Sequence, residues 1–478
     1  MYIQQGANVA GAIATLVAST VYLNRLEEHG YGIIAMALLG LAWIAVFESS
    51  FTQPIIKELS IPQGSRQYTS SAFFTDISNI ANKWLFWVFI TVFAVALAVS
   101  RIVNLDSGGL IISVSVAVMA CGKLKESLYR CVLISHDRSA FTSLVLSATN
   151  ILRASIASAW MIYIDDHNLE AYFLISSILQ AASLTAHKLS SDKFIQKDRR
   201  QPSKVFCNKK FVDFSRNSLV AGILSLALTQ LDKFIVSTQL GVHLFGAYSF
   251  TWTFAAGLFM LVYPINNIYY PRFVSSVAVN DDQEISRYIE SAFFKLSGTV
   301  GLVGIAVINV WPDFLIIIGK NTNDYRAIIP MVAGAIAGCS NVLVHSILNA
   351  YGKSRFLIVQ NIILIVIGMP FVLFSTIQHG LIGAAVATML IYIAHTLYSL
   401  IICGKVREIK INVQGMYLKI FVCNVALFAI LGCAIRKATE FARDPSSYLN
   451  ILIFLSIYLL ASFFCLQLIH KILKTHHV

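Results

Sequence analysis

LTQLDKFIVSTQLG, Leu228–Gly241, sets Asp232 and Lys233 side by side inside an apolar run of helix length. That run, 217–239, is long enough to cross a bilayer, because about 20 helical residues span the ~30 Å hydrocarbon core. At that depth an ionised side chain costs about 2.5–3.5 kcal/mol on insertion scales and is tolerated where it faces protein or a water-filled cavity. Whether the stretch belongs to a membrane helix or to a soluble core decides the fold, and the rest of the chain settles which.

The 478 residues are 57% hydrophobic and 13% charged, with a mean hydropathy of +0.71. A soluble domain carries roughly a quarter charged residues. Fourteen apolar runs of spanning length recur, at 3–23, 31–51, 79–100, 108–131, 141–163, 169–187, 217–239, 245–270, 291–311, 327–349, 356–376, 380–402, 415–435 and 447–470. The chain therefore reads as an all-α integral membrane protein with about 14 transmembrane helices. The first run has no basic residue before it and no small-residue cleavage site before Arg25-Leu26-Glu27-Glu28, so it reads as a retained span rather than a signal peptide.

Basic residues near span ends stay cytoplasmic. With the N-terminus inside, 21 of the 36 Lys and Arg fall in cytoplasmic connections, 7 outside and 8 within or at the edges of spans, which predicts both termini cytoplasmic. The largest contribution is the connection 188–216, where nine basic residues face three acidic ones. Because the net charge of +12 follows membrane topology, with no basic face or recognition module, nucleic acid is excluded as a partner. The eight cysteines show no CxxC pair and no metal-ligand spacing, and they read as small apolar residues. No nucleophile elbow, P-loop or HExxH appears in any connection. The chain is thus not read as an enzyme: no catalytic residue, cofactor or metal is expected.

The basic connection divides the spans six and eight, which invites a search for duplication. Leu26-Glu-Glu-His29-Gly-Tyr31-Gly32 aligns without gaps on Leu240-Gly-Val-His243-Leu-Phe245-Gly246, at an offset of 214 residues. Each motif joins the first and second span of its half, so the halves are predicted to be parallel repeats. The expected organisation is a bundle over 1–187, a linker over 188–216, a second bundle over 217–402, and two additional helices over 403–478.

Four groups of intramembrane charges are candidates for function. Arg153 lies about twelve residues into the fifth span, with Asn150 one turn away; it reads as an anion-binding cation in a cavity or, alternatively, as a tie to a neighbouring helix. Lys123, Glu126 and Arg130 form one stripe at i, i+3 and i+7; they either line a polar interior or project as a solvated, self-paired face. Glu48 ends the second span, where Lys57 is the obvious surface partner. In the opening stretch, Ser225, Thr229, Asp232 and Gln239 share one stripe and Gln230, Lys233 and Ser237 another, so Asp232 and Lys233 are expected to point apart rather than to pair. His345 and His395 read as packing residues or as proton carriers. Pro54, Pro264, Pro271, Pro330 and Pro370 mark places where spans can bend.

These motifs resemble the bacterial polysaccharide exporters, including the Wzx-type O-antigen flippases, of the multidrug/oligosaccharidyl-lipid/polysaccharide exporter superfamily. Glu48–Glu58 is similar to the family's acid, glycine, aliphatic, basic pattern, with Ser50 replacing the glycine and Lys57 supplying the base. TQLDKFIVSTQLG followed by FGAYSF resembles its seventh-span signature, and Pro264–Pro271 and Ala350-Tyr-Gly352-Lys353 resemble its eighth-span exit and basic turn.

The resemblance implies two six-helix bundles of the MATE-like kind around a central cavity, plus two C-terminal helices. It implies a cargo of undecaprenyl-diphosphate-linked oligosaccharide moved across the inner membrane, coupling to H+ or Na+, and work beside polysaccharide polymerase machinery among membrane lipids. Arg153, Lys233, Lys123 and Arg130 would then bind the diphosphate, and Asp232, Glu48 and Glu126 would be the coupling acids. A cation-coupled multidrug exporter of the same fold is the second reading. A membrane polymerase or ligase is the third, disfavoured because the longest outer connection is about fifteen residues.

Overall fold

The computed structural model describes residues 2–60, 70–102, 108–136, 138–164, 169–195, 209–278, 280–320, 325–353, 355–406, 408–440, 454–458 and 461–462. The side chains of Ser50, Pro54, Lys57, Pro264 and Pro271, and the connection over 196–208, lie outside the description. Within it the chain is helical and shows no strand. The helices are α1 (Tyr2–Ser60), α2 (Ser70–Ile102), α3 (Gly109–Ser135), α4 (Ser139–Tyr163), α5 (Leu169–Ser191), α6 (Lys209–Gln239), α7 (Gly241–Ala278), α8 (Asp282–Leu296), α9 (Leu302–Ile317), α10 (Ile328–Ala350), α11 (Arg355–Lys405), α12 (Val413–Met416) and α13 (Cys423–Glu440).

Thirteen of the fourteen apolar runs fall on these helices, and the last, 447–470, lies mostly outside the described residues. Eight described helices are long and apolar enough to cross a membrane. Large apolar side chains face outward in numbers a water-soluble fold does not tolerate: Trp84, Phe86 and Trp87 on α2, and Val366, Ile367 and Phe374 on α11, are each 62–67% exposed. The protein is a multi-pass membrane protein.

The breaks within the long helices fall where backbone, not proline, dictates. α1 contains two spans separated at Glu27 (φ 56°, ψ −175°), and α11 contains two separated at Gly380 (φ 59°, ψ −140°). Pro370 sits inside α11 with helix on both sides, ten residues before the actual break.

The chain forms two compact units, Met1–Lys233 with Gly241–Gly246, and Phe234–Leu240 with Ala247–Val478. In the first, α3 is central: it packs against α5, α2 and α1, while α4 lies along α1 and α5. α3 earns this place with small and aliphatic residues, since Ala117, Met119, Ala120, Val132 and Leu133 are all essentially buried. In the second unit α10 takes the equivalent role against α11, where Gly334 and Gly338, one turn apart, bring the backbone against Met389 and Tyr392. α13 is fastened to α9 by Arg436, whose Nη1 donates to Asp313 Oδ2 (2.6 Å) and to the Asn309 carbonyl (2.5 Å).

The two repeat motifs meet. A side chain at Gly32 would overlap the Val242 carbonyl, and one at Gly246 would overlap the Glu28 carbonyl. Under the offset of 214, Gly32 corresponds to Gly246 and Glu28 to Val242, so the contact is reciprocal. The residues equivalent to each other at the turn, Glu27 and Gly241, both have positive φ, 56° and 79°. His243 of the second motif lies 3.7 Å from the Glu28 carboxylate.

Candidate functional site

In the first unit the sequence's scattered charges converge on α3. Arg130 Nη1 donates to Glu48 Oε1 of α1 at 3.2 Å, an ion pair with both side chains half-buried or better. Glu48 thus takes its partner from a neighbouring helix, three turns of α3 having carried Arg130 inward. Glu126, only 3% exposed, faces α5 instead: it accepts hydrogen bonds from Ser183 Oγ (2.7 Å) and Gln180 Nε2, and His187 Nδ1 lies 3.1 Å from its Oε1. The α3 stripe lines a polar interior; its partners sit on α1 and α5, and it is not a solvated face pairing with itself.

Two cations in this unit, Lys123 and Arg153, make no ion pair among the described residues. Lys123 is half-buried and within electrostatic reach of Arg153, Arg130, Glu48 and Glu126, and among the described residues it makes no ion pair. Arg153, on α4, has a buried Nε with no hydrogen-bond partner and stands within electrostatic reach of Tyr22 and Tyr172. Those two phenols pack edge to face at 5.2 Å and are buried. Asn150, one turn from Arg153, is exposed and does not join it. The result is a charge-rich interior holding Lys123, Arg130, Arg153, Glu48 and Glu126.

Asp232 and Lys233 do pair, contrary to the expectation that neighbours on a helix diverge. Lys233 Nζ lies 3.5 Å from Asp232 Oδ1 and donates to the Thr229 carbonyl at 3.0 Å, and both residues are at least nine-tenths buried. Their Cβ atoms do splay, but a helical side chain leans toward its own N-terminus, and four methylenes carry the ammonium back over the preceding turn. Nζ is thus directed back along its own helix, toward the Asp232 carboxylate and the Thr229 carbonyl.

His345 and His395, fifty residues apart, come together with ring centroids 5.0 Å apart. His345 Nε2 is 3.2 Å from Ser399 Oγ, which also bonds Gln360. No group of three or more His, Cys, Asp or Glu among the described residues could hold a metal ion. In the second unit Lys353 pairs with Glu408 (2.5 Å), Lys410 with Asp282 (3.9 Å) and Arg436 with Asp313.

Gln180, Ser183 and His187 are the residues the sequence reading missed. They recur at i, i+3 and i+7 on α5, the same spacing as Lys123, Glu126 and Arg130 on α3, so the two polar stripes are complementary faces of one helix pair. Searching for formal charge alone overlooks such a stripe, because two of its three members are neutral.

No family model matches the chain. Over 399 residues it is 21% identical to a protein of Shigella flexneri described as "Putative O-antigen transporter", covering 79% of this chain and 91% of that one. Its structure is similar to that of the lipid II flippase MurJ in an inward closed conformation, with TM-score 0.72, 14% identity, and coverage of 98% of this chain and 100% of the other. It is also similar to an inward-facing multidrug resistance MATE family transporter of the MOP superfamily, with TM-score 0.64, 9% identity, and coverage of 84% and 96%. The fold is that of these membrane transporters, and the relatives are transporters and flippases, not enzymes.

Proposed function

We propose that this protein is a flippase that moves an undecaprenyl-diphosphate-linked oligosaccharide, an O-antigen or other surface-polysaccharide repeat unit, across a bacterial inner membrane by alternating access. The observation that carries the reading is the pair of interior cations, Lys123 and Arg153, which make no ion pair among the described residues and belong to an array whose cations outnumber its carboxylates. A buried cation without a counter-charge is expensive unless a ligand supplies one. A diphosphate supplies two negative charges with oxygens that suit a guanidinium fork and an ammonium. The names of the relatives, an O-antigen transporter and a lipid II flippase, point to the same cargo class.

In this reading Arg153 and Lys123 are the primary diphosphate ligands. Arg130 is held ready by Glu48, and Lys233 contributes once released from Asp232. The coupling acids are Asp232, Glu48 and Glu126, working with H+ or Na+. Both termini face the cytoplasm, and polysaccharide polymerase machinery is the partner on the far side. A drug exporter of the same fold would bring cationic cargo against uncompensated cations, so that reading ranks second.

The test replaces Arg153 by Ala and by Lys in cells lacking the native protein and scores surface polysaccharide at equal membrane levels. Arg153→Ala abolishes polysaccharide and Arg153→Lys restores part of it; polysaccharide unchanged in the Ala variant rules out Arg153 as a cargo ligand. Asp232→Asn is the companion: transport that keeps its rate and its pH dependence removes Asp232 from the coupling set.

A further inference from the structure

We propose that His187 is a proton-binding site whose charge is balanced by Glu126 and added to the Lys123–Arg130–Arg153 array, so that a proton and an anion bind the first unit cooperatively. The proposal rests on the flippase reading for the identity of the anion, and on geometry for the proton.

His187 is fully buried on α5. Its Nδ1 lies 2.9 Å from the Ser183 carbonyl and 3.1 Å from Glu126 Oε1. A carbonyl oxygen can only accept, so Nδ1 carries hydrogen in both charge states, and the tautomer is fixed. The other ring nitrogen, Nε2, is buried and has no hydrogen-bond partner among the described residues. In the neutral ring it holds a lone pair with nothing to receive, so the one change open to this imidazole is to gain a proton at Nε2. No bond is broken: the proton comes from water, and the product is an imidazolium.

Glu126 supplies the reason to take that proton. It accepts from Ser183, Gln180 and His187, three donors that mark it as a carboxylate, yet with a neutral imidazole none of the three is a cation. A buried negative charge held by dipoles alone is costly, and an imidazolium at 3.1 Å neutralises it. The other charged groups are on the elements packed around α5. α3 presents Lys123 and Arg130 one turn to either side of Glu126; α4 sets the Phe141 ring against His187 and carries Arg153 further along; Glu48 of α1 is taken up by Arg130. On α5 itself Lys188 follows at the helix end. Counting Lys123, Arg130 and Arg153 against Glu48 and Glu126 leaves +1 with His187 neutral, and +2 with it protonated. Linkage then requires that the proton favour the anion and the anion favour the proton by the same factor.

The experiment uses the full chain in lipid nanodiscs with undecaprenyl-diphospho-N-acetylglucosamine as probe, whose diphosphate is esterified at both ends and keeps its charges through neutrality. As the pH is lowered the wild-type Kd is expected to tighten by at least about tenfold, the effect of one added unit charge at ~10 Å in an effective dielectric near 20, with proton uptake seen as a buffer-dependent binding heat. His187→Asn, whose amide can replace the Nδ1 donor, is expected to bind with a pH-independent Kd and no uptake; Glu126→Gln moves the tightening to more acidic pH. A wild-type Kd that ignores pH, or tightening that survives in His187→Asn, overturns the proposal. If the probe fails to bind at all, the cargo reading falls, and nitrogen-15 NMR of labelled histidines decides the proton site by itself. With His187→Asn identifying the signal, a ring still neutral at about pH 5 overturns it, and conversion to imidazolium upholds it.

Discussion

Glu27 holds a backbone conformation (φ 56°, ψ −175°) that lies in a region glycine alone occupies without strain. Its counterpart in the second motif is Gly241, at φ 79°, where the same turn is made by the residue suited to it. Glu27→Gly is therefore expected to stabilise the protein by about 1 kcal/mol, read as a higher midpoint of thermal unfolding in detergent; a lower midpoint would show that the Glu27 side chain contributes more than its backbone costs. The Asp232–Lys233 pair teaches a different lesson at this scale. Period-3.6 reasoning locates Cβ atoms well and the tips of long side chains poorly, because a lysine samples more than a turn of its helix. Removing the acid by Asp232→Ala takes the carboxylate from a buried ammonium, and the protein should lose several degrees of thermal midpoint, whereas Lys233→Met, which keeps the bulk, should lose less.

Between elements, close backbone approach is the controlling device. At the crossing of the two repeat turns, a methyl group on Gly246 or Gly32 would strike a carbonyl oxygen, and neither carbonyl can retreat without moving a helix. Gly246→Ala and Gly32→Ala should each destabilise by about 3 kcal/mol or lower the amount of folded protein in the membrane. Gly40→Ala, on the same helix as Gly32 but with nothing within 4 Å of its Cβ position, should be neutral or slightly stabilising. Equal stability of all three variants would mean the contact is not tight. The attachment of α13 is of another kind, an ion pair with Arg436 and Asp313 side chains 17% and 8% exposed. Breaking it from either side, by Arg436→Ala or Asp313→Ala, should cost about 3 kcal/mol, most of it from the stranded partner, and the double variant should recover part of that loss in a thermal-unfolding cycle.

For the whole molecule, the charge count along the sequence makes a prediction that side-chain geometry does not touch. In a variant whose other cysteines are replaced, Cys207, within the basic connection 188–216, should react with a membrane-impermeant maleimide in inverted vesicles and not in intact spheroplasts. Labelling in spheroplasts would reverse the proposed topology. The membrane class, the helical character of thirteen apolar runs and the likeness of the two turn motifs were all legible in the chain, because hydropathy and turn chemistry are written locally. Which charges would pair was not. Glu48 looked closer to Lys57 in sequence than to Arg130, and Glu126 looked like one member of an ionic stripe; the structure gives Glu48 to Arg130 from 82 residues away and Glu126 to three residues of α5.

The sequence by itself determined that this chain lives in a bilayer, that two turn motifs 214 residues apart share one frame, and that cations sit within its apolar helices where a soluble protein would have none. It could do so because burial in lipid is paid residue by residue along a single helix. Tertiary structure alone decided which of those charges are neutralised and which are left over, since an ion pair is a property of two helices meeting at one height. That meeting leaves Lys123 and Arg153 in no ion pair among the described residues and brings the unremarked Gln180–Ser183–His187 face onto Glu126.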